Sequence, residues 1–168
     1  LFAGHSLGEI VALYAAEVLE METALRLLKS RSELMSASGN GAMTAILGFD
    51  RNELEDLVNS NDGVVIANDN SDSQVVLSGQ AQSLEAVTSR LKCKRAIPLQ
   101  VSGAFHSPFM KDASIAFSKQ LEKVKFHNAI APVLSNSDPI PTTDGLLLKE
   151  KLKSQMTQGV RWRETMDL

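Results

Sequence analysis

A serine between two glycines lies near the start of the chain. Residues 4–8 read Gly-His-Ser-Leu-Gly, the pattern of a nucleophile elbow, in which a strand turns sharply into a helix and presents the serine hydroxyl. Glycine permits the tight backbone of such a turn. Serine is a weak nucleophile until a base takes its proton, so the motif predicts covalent catalysis at Ser6 only if a histidine can reach it.

Three histidines could supply that base. His5 adjoins the serine, and adjacent side chains on a strand point to opposite faces, which places it badly. His127 lies in a polar stretch that is typical of the surface. His106 follows a predicted strand in a loop of Gly, Ser and Pro, where α/β folds place functional side chains. We therefore expect His106 to be the base.

Arg31 is a third residue that could do chemistry. It lies in a helical segment with apolar periodicity, where an arginine usually extends its charged end into solvent. A site for a free carboxylate would instead use the guanidinium, because two parallel charge-assisted hydrogen bonds fix the position and identity of an acid. The spacing alone leaves both interpretations open.

The composition excludes several classes of protein. The chain has 168 residues, 43% hydrophobic and 22% charged, with a net charge of −3 and one cysteine. One cysteine cannot form a disulfide framework, and a nucleic-acid binder usually has a basic excess. No apolar run approaches the roughly 20 residues of a membrane span, and no signal segment is visible. These features fit one domain in a reducing compartment.

The start of the chain predicts a longer protein. Only three residues precede Gly4, and the first is not methionine. A nucleophile elbow needs a strand before it. We therefore expect the sequence to be an internal part of a longer chain, with this strand cut short.

Two helices are predicted after the elbow, at about 9–16 and 23–36. Residues 42–101 then show the order β-α-β-β-α-β, which is typical of a ferredoxin-like unit. Asp50 and Glu53 form a capping box at the first helix of this unit. The predicted strands are 43–48, 64–67, 74–77 and about 95–101, with a turn at 68–73 and a second helix at 81–91.

The remaining residues predict a larger core. Helical spacing follows Phe109, a short strand is expected at 133–134, and a last helix at about 146–156. The predicted fold class is α/β: part of a hydrolase-like parallel-sheet core with an inserted ferredoxin-like subdomain. Residues 1–41 and 102–168 would belong to the core, and residues 42–101 to the small subdomain.

Together these motifs resemble the malonyl-CoA:acyl carrier protein transacylases of type II fatty acid synthesis. The resemblance spans essentially the whole chain, with the motifs in the same order. It rests on residues 4–9, Arg31 between two serines, Asn68 and Asn70 before Gln74-Val75-Val76, Gly103-Ala104-Phe105-His106-Ser107, and Asn136 before Ser137-Asp138.

The resemblance implies a role for each matching residue. Ser6 would take the malonyl group from coenzyme A, and His106 would return a proton to the leaving thiol. Arg31 would hold the malonyl carboxylate. The backbone N–H of Leu7 would donate a hydrogen bond to the oxyanion, with the helix dipole behind it.

Three further residues are implied in substrate binding. Phe105 lies in the loop that malonyl-selective members share, Asn136 would hold the histidine loop in place, and Asn68 would contact substrate together with Asn70. The family's second oxyanion donor and the segment that orients its histidine are expected outside this chain. No catalytic aspartate is expected, although Asp112 and Asp138 are present.

The predicted function is transfer of malonyl from malonyl-CoA to the phosphopantetheine thiol of acyl carrier protein, through a malonyl-serine. No metal or other cofactor is expected, and neither nucleic acid nor membrane is a predicted partner. We expect a monomer that binds the carrier protein transiently, in the cytoplasm or, in a plant or alga, the plastid stroma.

Several alternatives stay open. A serine hydrolase or thioesterase, a polyketide synthase acyltransferase domain, or a non-catalytic binding module could share parts of this pattern. The basic cluster Lys92, Lys94 and Arg95 could meet an acidic carrier protein or could be a solvated helix end.

Overall fold

A computed structural model describes all 168 residues of the chain. The helices are α1 (Gly8–Ala15), α2 (Met21–Ala37), α3 (Arg51–Asn59), α4 (Ala81–Thr88), α5 (Lys111–Leu121), α6 (Gly145–Ser154) and α7 (Trp162–Met166), with a 3₁₀ turn at Pro108–Met110. The strands are β1 (Ala42–Phe49), β2 (Val64–Ser71), β3 (Gln74–Gly79) and β4 (Cys93–Pro98). None of the helices has the length and apolar character needed to cross a bilayer.

The four strands form one antiparallel sheet in the order β2-β3-β1-β4. The element order between residues 42 and 101 is β-α-β-β-α-β, as the pattern predicts. Asp50 caps α3, because its side chain accepts a hydrogen bond from the Glu53 N–H at 2.9 Å. The chain is therefore an α/β protein with an antiparallel sheet.

The predicted parallel sheet is not present within this chain. Parallel pairing is limited to two isolated bridges, Phe2 with Val133 and Asn68 with Val160. The expected strand at 133–134 is therefore reduced to Val133, which forms one parallel bridge with Phe2 and one antiparallel bridge with Thr142. A strand needs a partner along its length, and these segments meet theirs at single positions.

The predicted turn at residues 68–73 is confirmed only at residues 72 and 73, because β2 continues to Ser71. Two irregularities, between Ile66 and Asn68 and between Asp69 and Ser71, shift its register with β3. Polar residues that suggest a turn are accommodated by these bulges at the edge of the sheet. The helix α7, which the sequence pattern did not predict, lies against this edge strand.

The apolar residues form two main cores. One core joins α1, α2, α5 and α6 through residues such as Ile10, Leu27, Phe117 and Leu148, all taken from 1–41 and 102–168. The other lies between the sheet and helices α3 and α4, and all its buried members fall within 42–101. Phe105 packs against the first core and against a small cluster on the opposite face of the sheet.

The edge strand β2 is held to the segment before α7. Val160 donates its N–H to the Ala67 carbonyl at 2.8 Å and accepts from the Asp69 N–H at 2.9 Å. The Asp69 carboxylate accepts from Arg51 Nη2 at 2.9 Å and from Arg163 Nε at 3.1 Å. One carboxylate thus connects α3, β2 and α7, so the two cores are linked at this strand.

We predict that Asp69→Asn destabilises the full-length protein by about 2 kcal/mol, because it removes a charge that receives hydrogen bonds from two arginines. Urea unfolding would measure the loss. Asp72→Asn is the matched control: its carboxylate is 93% exposed and lies 3.7 Å from Arg163. Equal effects of the two substitutions would contradict the prediction.

Candidate active site

Ser6 lies on a strained turn at the start of α1. Its backbone φ is +50°, a left-handed conformation that is unusual for serine. A β-carbon at Gly4 would lie 2.0 Å from the Gly8 carbonyl oxygen, so only glycine fits there, whereas a β-carbon at Gly8 would meet no atom. The turn therefore depends on Gly4. Strain of this kind is concentrated at functional sites.

Asn136 holds this turn from below. Its Oδ1 accepts from the Ser6 N–H at 2.6 Å, and its Nδ2 donates to the Gly4 carbonyl at 2.8 Å. The expectation that Asn136 holds the histidine loop is therefore corrected: both polar atoms of its side chain bond to the backbone of the serine turn. It is also 1% exposed, which leaves no surface for a substrate.

His106 is the histidine that reaches Ser6. Its Nε2 lies 2.7 Å from Ser6 Oγ, and its Nδ1 lies 3.0 Å from the backbone carbonyl oxygen of Gln155. A carbonyl can only accept, so Nδ1 carries the proton and the lone pair of Nε2 faces the serine hydroxyl. Ser6 therefore donates its hydrogen bond to His106, as a nucleophile does to its base.

The residue that orients His106 lies inside the chain, which corrects the expectation that it lies outside. The Gln155 carbonyl takes the place that an aspartate has in a Ser-His-Asp triad. Neither Asp112 nor Asp138 bonds to the imidazole. A neutral carbonyl fixes the tautomer without adding a negative charge beside the ring.

The imidazole is kept neutral by its surroundings. Burial and the nearby positive charge of Arg31 lower the pKa of His106 to about 4, against the opposing effect of the hydrogen bond to Gln155. His106 is 3% exposed. A neutral imidazole at pH 7 is ready to accept a proton from Ser6.

Arg31 is buried beside the serine, so the interpretation as a solvent-exposed arginine is excluded. Its Nη2 donates to Ser6 Oγ at 3.0 Å, and its Nε donates to Gln155 Oε1 at 2.9 Å. Burial lowers the pKa of Arg31 to about 10, and the charge of Glu9 opposes that fall. The guanidinium therefore stays cationic at neutral pH.

Sequence reasoning missed the part played by Gln155. Its Nε2 donates to the Ser6 carbonyl at 2.8 Å and to Glu9 Oε2 at 2.8 Å. With its bonds to Arg31 and His106, this buried glutamine is hydrogen-bonded to four residues of the site. Glu9 could be suspected from the sequence as an acid on an apolar helix. No pattern around Gln155 distinguishes it.

A pocket opens beside the serine. Its volume is about 240 Å³, and its lining consists of Ser6, Arg31, Ser32, Met35, Ser36 and Phe105. The Leu7 N–H makes no hydrogen bond within the chain, and it lies directly before the N-terminus of α1. A small acyl group on Ser6 would therefore find a cation in the pocket and an unused donor at the turn.

The remaining candidates lie away from this pocket. His5 is exposed, as expected of a poor base; its Nε2 lies 2.8 Å from Asn70 Oδ1, and its ring stands edge-on to Trp162. Asn68 is buried in β2 and does not line the pocket, so a contact with a small acyl group is not supported. His127 is exposed.

No group of three or more His, Cys, Asp or Glu side chains is arranged to hold a metal ion. The chemistry that the geometry offers is nucleophilic: a serine hydroxyl, a neutral base and a donor for an oxyanion. This set suits acyl transfer through a serine ester.

Comparison with known proteins agrees with this geometry. The family described as acyl transferase domain matches residues 1–165. The chain is 52% identical to the malonyl CoA-acyl carrier protein transacylase of Synechocystis sp., over 98% of this chain and 56% of that protein. It thus spans little more than half the length of such relatives.

Solved structures show the same likeness. The crystal structure of the Synechocystis malonyl-CoA:ACP transacylase superposes with a TM-score of 0.96, covering 98% of this chain and 56% of that one. A malonyl-transacylase solved in complex with its type II polyketide synthase acyl-carrier protein is 33% identical, with a TM-score of 0.86 and coverage of 98% and 56%.

We predict that Ser6 reacts with a serine-directed acylating reagent at a constant rate from about pH 5 to 8, then about tenfold more slowly per pH unit below about pH 4. Only neutral His106 can take the proton, and the neutral form is lost as pH falls through the low pKa. Circular dichroism at each pH would show that the fold persists. An inflection near the ordinary histidine value of roughly 6.5 would contradict the prediction.

Proposed function

Because the chain belongs to the acyl transferase domain family, we propose that its protein transfers malonyl groups from coenzyme A to acyl carrier protein in fatty acid synthesis. The observation that supports this choice of acyl group is the buried Arg31 guanidinium, 3.0 Å from Ser6 Oγ. A cation so close to the nucleophile suits an acyl group that ends in a carboxylate.

The first half of the reaction forms a malonyl-serine. His106 Nε2 takes the proton of the Ser6 hydroxyl while Oγ attacks the thioester carbonyl. The Leu7 N–H and the N-terminus of α1 stabilise the oxyanion. When the oxyanion collapses, the carbon–sulfur bond breaks, and His106 gives its proton to the departing coenzyme A thiolate.

The second half reverses these steps with a different thiol. The phosphopantetheine thiol of the carrier protein gives its proton to His106 and attacks the serine ester. The carbon–oxygen bond then breaks, and Ser6 Oγ recovers the proton from His106. Thiol must be favoured over water as the acceptor, so a narrow channel that admits pantetheine and excludes bulk water would be needed.

Arg31 would select the acyl group. Its Nε donates to Gln155 and its Nη2 donates one hydrogen to Ser6 Oγ, which leaves Nη1 and the second hydrogen of Nη2 for a carboxylate. Acetyl lacks that carboxylate and would leave a buried cation without an anionic partner. Phe105 also lines the pocket and would limit the size of the acyl group.

We further propose how the chain is divided. Residues 42–101 would form a ferredoxin-like subdomain, and residues 1–41 with 102–168 would belong to a larger parallel-sheet core. The separate apolar clusters and the strand order β2-β3-β1-β4 support this division. The parallel bridge between Phe2 and Val133 supports a parallel sheet at the serine turn.

The partner would be an acidic carrier protein, bound transiently by a monomer. Lys92, Lys94 and Arg95 are exposed at the start of the edge strand β4, which supports this basic cluster as a contact. A relative in the same family has been solved with its carrier protein. A carrier protein of polyketide synthesis would be bound by the same chemistry, and assays with both carriers would distinguish the two.

Intact-mass analysis of the full-length protein tests the proposed function. After brief incubation with malonyl-CoA we expect a malonyl adduct that Ser6→Ala abolishes, that acetyl-CoA forms poorly, and that holo carrier protein discharges. Rapid release of free malonate without any carrier would instead indicate a hydrolase. The absence of any Ser6-dependent adduct would indicate a binding module.

We predict that Arg31→Ala lowers malonyl transfer about 100-fold or more in kcat/KM, whereas acetyl transfer persists or rises. The loss corresponds to roughly 3 kcal/mol for a paired, charge-assisted contact. Arg31→Lys should recover only part of the activity, because an ammonium cannot form two parallel bonds. Equal losses for malonyl and acetyl would refute the carboxylate role.

A further inference from the structure

Glu9 is a buried acid that takes no direct part in the proposed reaction. It lies in the first turn of α1 and is 1% exposed. Its Oε2 accepts from the Asn136 N–H at 3.1 Å and from Gln155 Nε2 at 2.8 Å. Burying a carboxylate is costly unless it is paired and hydrogen-bonded. We therefore expect this buried acid, which is hydrogen-bonded beneath the serine turn, to have a role in the site.

The Gln155 amide lies between this acid and Arg31. Its NH₂ end faces Glu9 Oε2, and its oxygen end accepts from Arg31 Nε at 2.9 Å. Burial raises the pKa of Glu9, and the hydrogen bonds from Gln155 and Asn136 and the charge of Arg31 oppose that rise. In its ionised form Glu9 only accepts hydrogen bonds, and a guanidinium only donates them. The amide can therefore join the two in one orientation alone, since the flipped amide would place donor against donor and acceptor against acceptor.

This orientation determines where Arg31 points. With Nε tied to Gln155, the guanidinium presents Nη2 to Ser6 Oγ. The same NH₂ group also donates to the Ser6 carbonyl at 2.8 Å. The NH₂ end of the amide is thus held by the Ser6 carbonyl and by Glu9, so an acid that does not touch Arg31 helps to position it.

We propose that Glu9 is a positioning residue for acyl-group selectivity: by holding the Gln155 amide in one orientation, it aims Arg31 at the acyl group on Ser6. This inference rests on the proposed function, because it gives Glu9 a part in choosing malonyl over acetyl. Glu9 contacts neither the acyl group nor the reacting atoms.

The first test is Glu9→Gln in the full-length protein. Glutamine can accept the same two hydrogen bonds, but it lacks the negative charge, so it holds the NH₂ end of the Gln155 amide less strongly. We expect the ratio of malonyl to acetyl kcat/KM to fall about tenfold, through a raised KM for malonyl-CoA. Acetyl transfer should change less than about twofold. Glu22→Gln, at an exposed site on α2, is the control and should leave both rates unchanged.

The second test is Glu9→Gln combined with Arg31→Ala. If Glu9 acts through Arg31, removal of the guanidinium should leave Glu9→Gln without a further effect on selectivity. We therefore expect the double variant to match Arg31→Ala within about twofold in the ratio of malonyl to acetyl kcat/KM. A purely structural role for Glu9 predicts instead that the double variant loses malonyl and acetyl transfer beyond Arg31→Ala.

The outcomes separate this inference from the proposed function. A wild-type protein that forms no malonyl-serine refutes the proposed function and this inference with it. A selective wild type whose Glu9→Gln variant keeps its selectivity, or loses malonyl and acetyl transfer equally, refutes only the role of Glu9. Loss of selectivity in Glu9→Gln, with no further loss when it is combined with Arg31→Ala, supports it.

Discussion

A hydrogen-bonded network around Gln155 is the constraint on which the site depends. Three buried residues are hydrogen-bonded to Gln155: Glu9 and Arg31 to its side-chain amide, and His106 to its backbone carbonyl. Buried charges are tolerated only when their hydrogen bonds are satisfied. Gln155 satisfies an anion at one end and a cation at the other. Its neighbours are consequently held in one arrangement, with the serine hydroxyl between a neutral base and a cation.

The serine turn and the network stabilise each other. Ser6 has a strained backbone, and its N–H and carbonyl are bonded to Asn136 and Gln155. The strained conformation persists because several surrounding groups hold it through separate hydrogen bonds. These contacts come from residues at 136 and 155, far along the chain. The reactive geometry therefore forms only when the whole core around α1 is assembled.

Local patterns predicted much of the fold. The elbow, the cap at Asp50 and the β-α-β-β-α-β order follow from spacing and residue type, and the structure has them. Pairing between strands was predicted less well. The parallel sheet is limited to isolated bridges, and residues 68–71 extend β2 because bulges and the backbone of Val160 accommodate them. Such pairing depends on distant segments, which periodicity cannot detect.

By itself the sequence identified a candidate nucleophile, a candidate base and a candidate cation, because Ser6, His106 and Arg31 stand in motifs whose chemistry is local. Only the tertiary structure decided what those residues do to one another. It shows that Arg31 lies within hydrogen-bond reach of Ser6 and that Asn136 holds the serine turn rather than the histidine loop. It also shows that Gln155 is hydrogen-bonded to His106. The physical reason is burial: side chains from distant positions are removed from water together, and each polar group must then find its partner among them.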